Sequence, residues 1–192
     1  MIIKIKEAFN NYNIERHNIA NVNEEIILSF DFLIFGLSTW YDGDLQSDWE
    51  IYFDDFKKID FTNKLVAIYG LGDQWGYDEY FVDGIGIIAK EIIKNNGKLI
   101  GEWPTKDYEF EKSKALKDKN TFFGLALDED NQYEQTDRRI KIWTKKIIEF
   151  LPDDQKEVLK YRYYNDLSFK EISEKTGVSI NTSLGRMRYA LI

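Results

Sequence analysis

The sequence predicts an α/β fold over residues 1–150, with helices on both faces of a parallel sheet, followed by a small all-α segment over residues 151–192. In the first part, short apolar runs bounded by turn residues alternate with amphipathic helical patterns, which is typical of parallel strands joined by helices. The second part carries helix start and stop signals close together. The two parts therefore predict two domains of different class.

Three apolar runs predict the buried strands of the sheet, because parallel strands covered on both faces read as continuous rather than alternating hydrophobic segments. They are FLIFG (Phe32 to Gly36), LVAIYG (Leu65 to Gly70) and KLIGEW (Lys98 to Trp103). In sheets of this kind, ligands bind at the loops that leave the carboxyl ends of the strands. We therefore expect the functional residues to follow these runs.

Two amphipathic stripes predict the helices that cover the sheet. The first stripe is followed by Gly97 as a stop signal, and the second follows a predicted cap at Thr136. The stripes are formed by Phe81, Ile85, Ile88 and Ile92, and by Ile140, Trp143 and Ile147.

Composition excludes several classes of protein. The chain has no cysteine, so disulfides, thiolate catalysis and cysteine metal sites are excluded, and it has no apolar run long enough to span a bilayer. The N-terminal residues lack the pattern of a signal peptide, so a cytoplasmic location without membrane attachment is expected. Charge is uneven: residues 1–150 carry a net −9 and residues 151–192 a net +1.

Two segments that follow the first two apolar runs are rich in aromatic and acidic residues: STWYDGDLQSDWE (38–50) and GLGDQWGYDEYF (70–81). Their order and spacing resemble the two flavin-binding loops of flavodoxins, which are electron carriers that bind FMN. Residues 98–132 resemble the split last strand of the long-chain members. The resemblance covers nearly all of residues 1–150 and implies a flavodoxin-like, three-layer fold, non-covalent FMN, electron transfer and no enzymatic activity.

The resemblance also implies the cofactor-binding residues. Trp40 and Tyr77 match the aromatic residues on the two faces of the flavin, where stacking excludes water. The remaining matches lie in the two loops and in the last loop of the family: Thr39, Tyr41, Asp42, Gly43, Leu71, Gly72, Asp73, Asp128 and Asp130. Carboxylates near the flavin disfavour adding electrons to it, and the acidic rim suits a basic redox partner.

The family's first strand and its phosphate-binding loop have no counterpart in the sequence. Met1 aligns inside the helix that follows that loop, and no T-x-T-G-x-T motif occurs in the chain. The strand is central in the family's sheet order, 2-1-3-4-5, so we expect strand two (around Glu15 to Val22) and strand three to lose a shared neighbour. Either these two strands pair directly or another chain fills the gap by self-association, and FMN binding is expected to be impaired.

Residues 151–192 contain three helix signals: Leu151-Pro152-Asp153-Asp154, a capping box at Ser168–Glu171, and a turn at Gly177 with Ser179 as the next cap. Ile180, Leu184, Met187 and Leu191 form an apolar stripe on the predicted last helix. The segment resembles region 4 of bacterial sigma factors, a helix-turn-helix that reads promoter DNA and contacts RNA polymerase. The resemblance implies DNA contacts by Ser179, Asn181, Thr182, Ser183, Arg186 and Arg188.

Three functions stay open at this point. The chain is an electron carrier that bears a DNA-binding module, or it is a DNA-binding regulator whose flavodoxin part is a scaffold. The third alternative is a non-functional hybrid reading frame. The direct junction at residues 150 and 151 favours this alternative, because functional fusions usually have a flexible linker between their domains.

Overall fold

The computed structural model describes residues 1–9, 14–150, 161, 167–177, 179 and 189–192. In these ranges the helices are α1 (Ile2–Ala8), α2 (Glu24–Leu28), α3 (Ser47–Phe56), α4 (Asp83–Lys94), α5 (Tyr133–Ile148) and α6 (Phe169–Thr176). The strands are β1 (Ile14–Arg16), β2 (Phe32–Trp40), β3 (Asp44–Leu45), β4 (Leu65–Leu71), β5 (Lys98–Ile100), β6 (Trp103–Pro104), β7 (Leu116–Asp118), β8 (Thr121–Phe122), β9 (Leu125–Leu127) and β10 (Tyr189–Leu191).

The main sheet has the strand order β1-β10-β2-β4-β5, and these neighbours are parallel. β5 pairs with the first half of β4 and β9 pairs with its second half. The two short strands together therefore occupy one strand position at the edge of the sheet. A separate antiparallel sheet, β6-β8-β7, lies between β5 and β9 in the chain. The α/β prediction is confirmed, with the three apolar runs in β2, β4 and β5.

Helices cover both faces of the sheet and give the three layers. On one face, Phe35 of β2 packs edge-on against Trp49 and Phe56 of α3, with ring centroids 5.5 and 5.4 Å apart. α4 lies on the same face, where Ile85 approaches Gly70 of β4. On the other face Tyr69 contacts Trp143 of α5, and α1 packs against α5.

The two predicted helix stripes are buried as expected, although the helix boundaries differ. All members of both stripes are 0–2% exposed. Helix α4 begins at Asp83, after Phe81. Helix α5 begins at Tyr133, so the prediction of a cap at Thr136 was wrong, and Thr136 is a buried residue of the first turn.

Two predicted strand boundaries were also wrong. The run at Lys98–Trp103 is not one strand, because Gly101 has φ +81° and separates β5 from β6. A Cβ at Gly101 would lie 2.7 Å from Nε1 of Trp143, so the turn also allows α5 to approach. Strand two is shorter than expected and covers Ile14–Arg16, with a 3-10 turn at Ile19–Asn21.

The largest departure from the sequence prediction concerns the central strand. β10 lies between β1 and β2, at the position of the strand that was expected to be missing. β1 and β2 therefore neither pair directly nor leave an open gap. Because Tyr189–Leu191 form a strand, the prediction of one helix through Leu191 was wrong for these residues.

Within the tail, the capping box at Ser168 is confirmed. Its side chain accepts from the backbone N–H of Glu171, whose carboxylate accepts from the backbone N–H of Ser168. Helix α6 ends at Thr176, and the residue that caps it, Gly177, has φ +71°. Among the described residues, no helix is both long and apolar enough to cross a bilayer.

Candidate functional site

The first flavin-loop segment is a β-hairpin rather than an open loop. β2 continues through Trp40, a turn follows at residues 41–43, and β3 pairs back in the register Thr39↔Leu45 and Trp40↔Asp44. Tyr41 and Gly43 have positive φ, 44° and 91°, as a tight turn requires. The hairpin places Trp40 at the end of a sheet strand.

Trp40 and Tyr77 are half exposed. The exposed fractions are 42% for Trp40, the last residue of β2, and 49% for Tyr77, which lies in the turn after the neighbouring strand β4. Trp49 and Trp103, in contrast, are only 1% and 8% exposed. The structure thus separates aromatic side chains that fill the core from those that face solvent at the carboxyl edge.

Hydrogen bonds join the hairpin to the segment after β4. The hydroxyl of Thr39 accepts from the backbone N–H of Gly84, at 3.1 Å, in the first turn of α4. Gly43 lies directly against Asp83, since a Cβ on Gly43 would be 2.7 Å from its carboxylate. Asp83 is buried and forms an ion pair with Lys114 at 2.9 Å. The start of α4 therefore packs against the hairpin and forms a hydrogen bond with it.

The second segment turns around Asp73. One carboxylate oxygen accepts from the backbone N–H groups of Trp75 and Gly76 and from the side-chain amide of Asn131, at 2.7–2.9 Å. Burial raises the pKa of Asp73, but these hydrogen bonds outweigh burial and hold the pKa below its usual value. The charged form of Asp73 thus shapes the turn that carries Tyr77.

Asp128 connects this segment to the last loop from inside the protein. It is fully buried, and its carboxylate accepts from the backbone and side-chain N–H groups of Gln74, from the backbone N–H groups of Asp130 and Asn131, and from the side chain of Asn131. Asp128 therefore holds the loops in place from a buried position. Asp130 is exposed at the rim.

The structure brings all three predicted segments together at one edge of the sheet. Thr39, Trp40 and the turn residues Tyr41, Asp42 and Gly43 follow β2, while Leu71, Gly72, Asp73 and Tyr77 end or follow β4. The last pair, Asp128 and Asp130, follows β9. Sequence reasoning missed Gln74, Asp83, Lys114 and Asn131, whose contacts join distant segments and leave no local pattern.

Comparisons with known proteins agree with this geometry. The sequence model of the family Flavodoxin matches residues 4–143. The chain belongs to the flavodoxin family. Flavodoxin from Buchnera aphidicola subsp. Acyrthosiphon pisum is 50% identical over 134 residues, which cover 70% of this chain and 78% of that protein. Flavodoxin 1 from Escherichia coli K12 is 45% identical over 139 residues, covering 72% and 79%.

A solved flavodoxin structure extends the likeness to three dimensions. Fusobacterium nucleatum flavodoxin bound to flavin mononucleotide superposes with a TM-score of 0.73 at 31% identity, covering 78% of this chain and 89% of that one. The model of Sigma-70, region 4 matches residues 143–183, which include α6. Of the residues expected to contact DNA, only Ser179 is described, and it is exposed. Asn181, Thr182, Ser183, Arg186 and Arg188 lie outside the described residues.

Proposed function

We propose that this flavodoxin-family chain binds FMN with the flavin ring between Trp40 and Tyr77 and transfers electrons between partner proteins. The observation that supports this is the pair of half-exposed aromatic side chains at one edge of the sheet, Trp40 at the end of β2 and Tyr77 in the turn after the neighbouring β4. When a flat flavin ring lies between two exposed aromatic side chains, stacking stabilises the complex and the apolar surface of all three rings is removed from water. When bound, the flavin supplies the capacity to accept and release electrons.

The backbone around these rings is tightly packed. A Cβ at Gly72 would lie 2.8 Å from the backbone nitrogen of Val82, and the turn at Gly43 is equally crowded by Asp83. Both glycines therefore allow the two loops to pack closely against the start of α4. Thr39, Tyr41, Asp42, Leu71 and Asp73 complete the proposed surface, with Asp130 at its rim.

Charge around the site supports a basic redox partner. Asp42, Asp44 and Glu50 are exposed and form no ion pair with another described residue. This negative rim disfavours further negative charge on a bound flavin and attracts positively charged surfaces. We infer that the partner docks over the hairpin, where electrons need to cross only a short distance.

The finer proposals concern affinity and domain organisation. We propose that the chain is of the long-chain type, because β5 and β9 share one strand position with a small sheet between them. Since the 192-residue sequence contains no T-x-T-G-x-T loop, we expect it to bind FMN weakly, with an affinity within about threefold of that for riboflavin. A division into residues 1–150 and 151–192 and a cytoplasmic location stay predictions.

A flavin titration tests the proposed site. FMN added to the 192-residue chain should lose fluorescence on binding, and Trp40→Ala should weaken binding at least about tenfold, the equivalent of one lost stacking contact. Phe150→Ala is the control, because Phe150 is 47% exposed but lies at the far end of α5. Equal binding by Trp40→Ala and the unmodified chain would exclude the proposed stacking.

We propose as a second function that the tail binds promoter DNA. The match to Sigma-70, region 4 and the capped helix α6 support it. Arg186→Ala should weaken binding to a −35 duplex in a fluorescence anisotropy titration, because it removes a cation from the predicted recognition helix. Lys141→Ala, which removes the same charge from the exposed side of α5, should have little effect. Equal loss in both variants would indicate nonspecific attraction only.

A further inference from the structure

The C-terminal segment forms backbone contacts with both of its neighbours in the sheet. On one side Tyr189–Leu191 is in register with Ile14–Arg16, and on the other side with Phe32–Ile34. The pairing continues at Ile192, whose N–H donates to the carbonyl of Ile34 at 2.8 Å and whose carbonyl accepts from the N–H of Gly36 at 2.7 Å. Four consecutive residues of the tail therefore occupy the interior of the α/β body.

The position between β1 and β2 is a slot that suits an extended, uncharged segment. The strands on both sides of it are buried and apolar: Leu33, Ile34 and Phe35 of β2 are fully buried, and Ile14 of β1 is 4% exposed. Ile192 is itself 3% exposed. An empty slot would leave inward-facing N–H and C=O groups of β2 without partners, which is costly in an apolar environment.

We propose that residues 189–192 are a built-in strand ligand of this slot, so that the flavodoxin-like body requires the tail to complete its sheet. The tail is then attached at both ends, through α5 and through β10. Of the match to Sigma-70, region 4, residues 149–183 lie between these attachments. It is a closed insertion in the body rather than an appendage that can be removed.

Hydrogen exchange gives a direct test, because alternate residues of a strand direct their N–H groups to opposite neighbours. Gly36 donates to Ile192, so Gly36 and Ile34 face β10, while Leu33 and Phe35 face β4. In a chain shortened by residues 189–192, the amides of Ile34 and Gly36 should exchange at least about tenfold faster relative to those of Leu33 and Phe35. An unchanged ratio would overturn the proposal.

A point substitution tests the same slot if the shortened chain does not fold. Ala190→Pro removes a backbone N–H inside the sheet, whereas Ala190→Gly keeps it. We expect the thermal midpoint to fall by about 5 °C or more for proline and by much less for glycine. Equal midpoints for the proline variant and the unmodified chain would contradict the proposal.

A synthetic peptide provides a third test of the slot. A peptide of residues 184–192, added to the shortened chain, should restore the slow exchange of Ile34 and Gly36, and a scrambled peptide should not.

The oligomeric state shows whether the strand comes from the same chain. Sedimentation of the unmodified chain should show a monomer. A stable dimer that dissociates when residues 189–192 are removed would place the strand of a second copy in the slot and would refute an intramolecular ligand.

Discussion

Replacing Asp128 by asparagine should destabilise the site without changing its surface. The substitution keeps the size of the side chain but turns one carboxylate oxygen into an NH₂ group. In the structure, one oxygen accepts from the backbone and side chain of Gln74, at 3.2 and 2.7 Å, and the other accepts from the backbone N–H groups of Asp130 and Asn131, at 3.1 and 2.9 Å. The side-chain amide of Asn131 donates to both oxygens, at 3.1 and 3.0 Å. Whichever way the new amide turns, three donors therefore face its NH₂ group.

The expected magnitude follows from these contacts. A hydrogen bond to a charged group contributes about 1.5–3 kcal/mol, and the amide retains the contacts on its oxygen side. Because the loops can relax and admit water, we expect a loss of about 3 kcal/mol in the free energy of unfolding. For a chain of this size that corresponds to a fall of roughly 6–12 °C in Tm.

Urea unfolding followed by circular dichroism and tryptophan fluorescence measures this loss. Asp130→Asn is the matched control, since the same chemical change is made two residues away on an exposed side chain, and it should alter the free energy by no more than about 0.5 kcal/mol. Flavin affinity should fall in Asp128→Asn because the segment carrying Tyr77 loses its anchor. Equal stability of the two variants would refute the assigned role of Asp128.

Three further predictions concern other contacts of the body. Gly86→Ala should lower the free energy of unfolding by about 1–3 kcal/mol in urea titrations, despite the better helix propensity of alanine, because its Cβ would lie 2.0 Å from the carbonyl oxygen of Lys114; unchanged stability would contradict this packing. Trp143→Phe should cost about 1–3 kcal/mol in the same assay, since the carbonyl of Gly101 loses the indole donor at 2.5 Å; a change below about 0.5 kcal/mol would show that water replaces the donor. Because folding lowers the pKa of Asp73, its ionised carboxylate stabilises the folded state at pH values above the unfolded pKa of about 4. This stabilisation is lost as the pH falls through the pKa of the folded state. Asp73→Asn should therefore flatten the stability profile below about pH 4, and an identical profile would exclude the proposed role of the charge.

Helices and buried strands were predictable because their signal is local. The stripe that contains Ile85, Ile88 and Ile92 repeats at helical spacing, and all three side chains are fully buried in α4. Patterns of this kind depend only on which residues face the core. The candidate site, by contrast, was located by the resemblance of the segments after β2 and β4 to the flavin-binding loops of flavodoxins.

Contacts between distant segments were not predictable from local patterns. The break at Gly101 depends on the close approach of Trp143, which lies far along the chain. Residues 189–191 follow a helix-turn-helix pattern and have a helical spacing of apolar residues, yet they form a strand because the slot between β1 and β2 offers backbone partners on both sides. Tertiary hydrogen bonding overrides local preference there.

A crystal structure, determined from crystals of the 192-residue chain soaked with FMN, most directly tests the claim that Trp40 and Tyr77 hold the flavin ring. We predict the flavin ring between the side chains of Trp40 and Tyr77, at stacking distances of about 3.5 Å, with the loops in the positions described above. A flavin bound elsewhere on the protein, or an empty space between these two rings at saturating FMN, would contradict the proposed function.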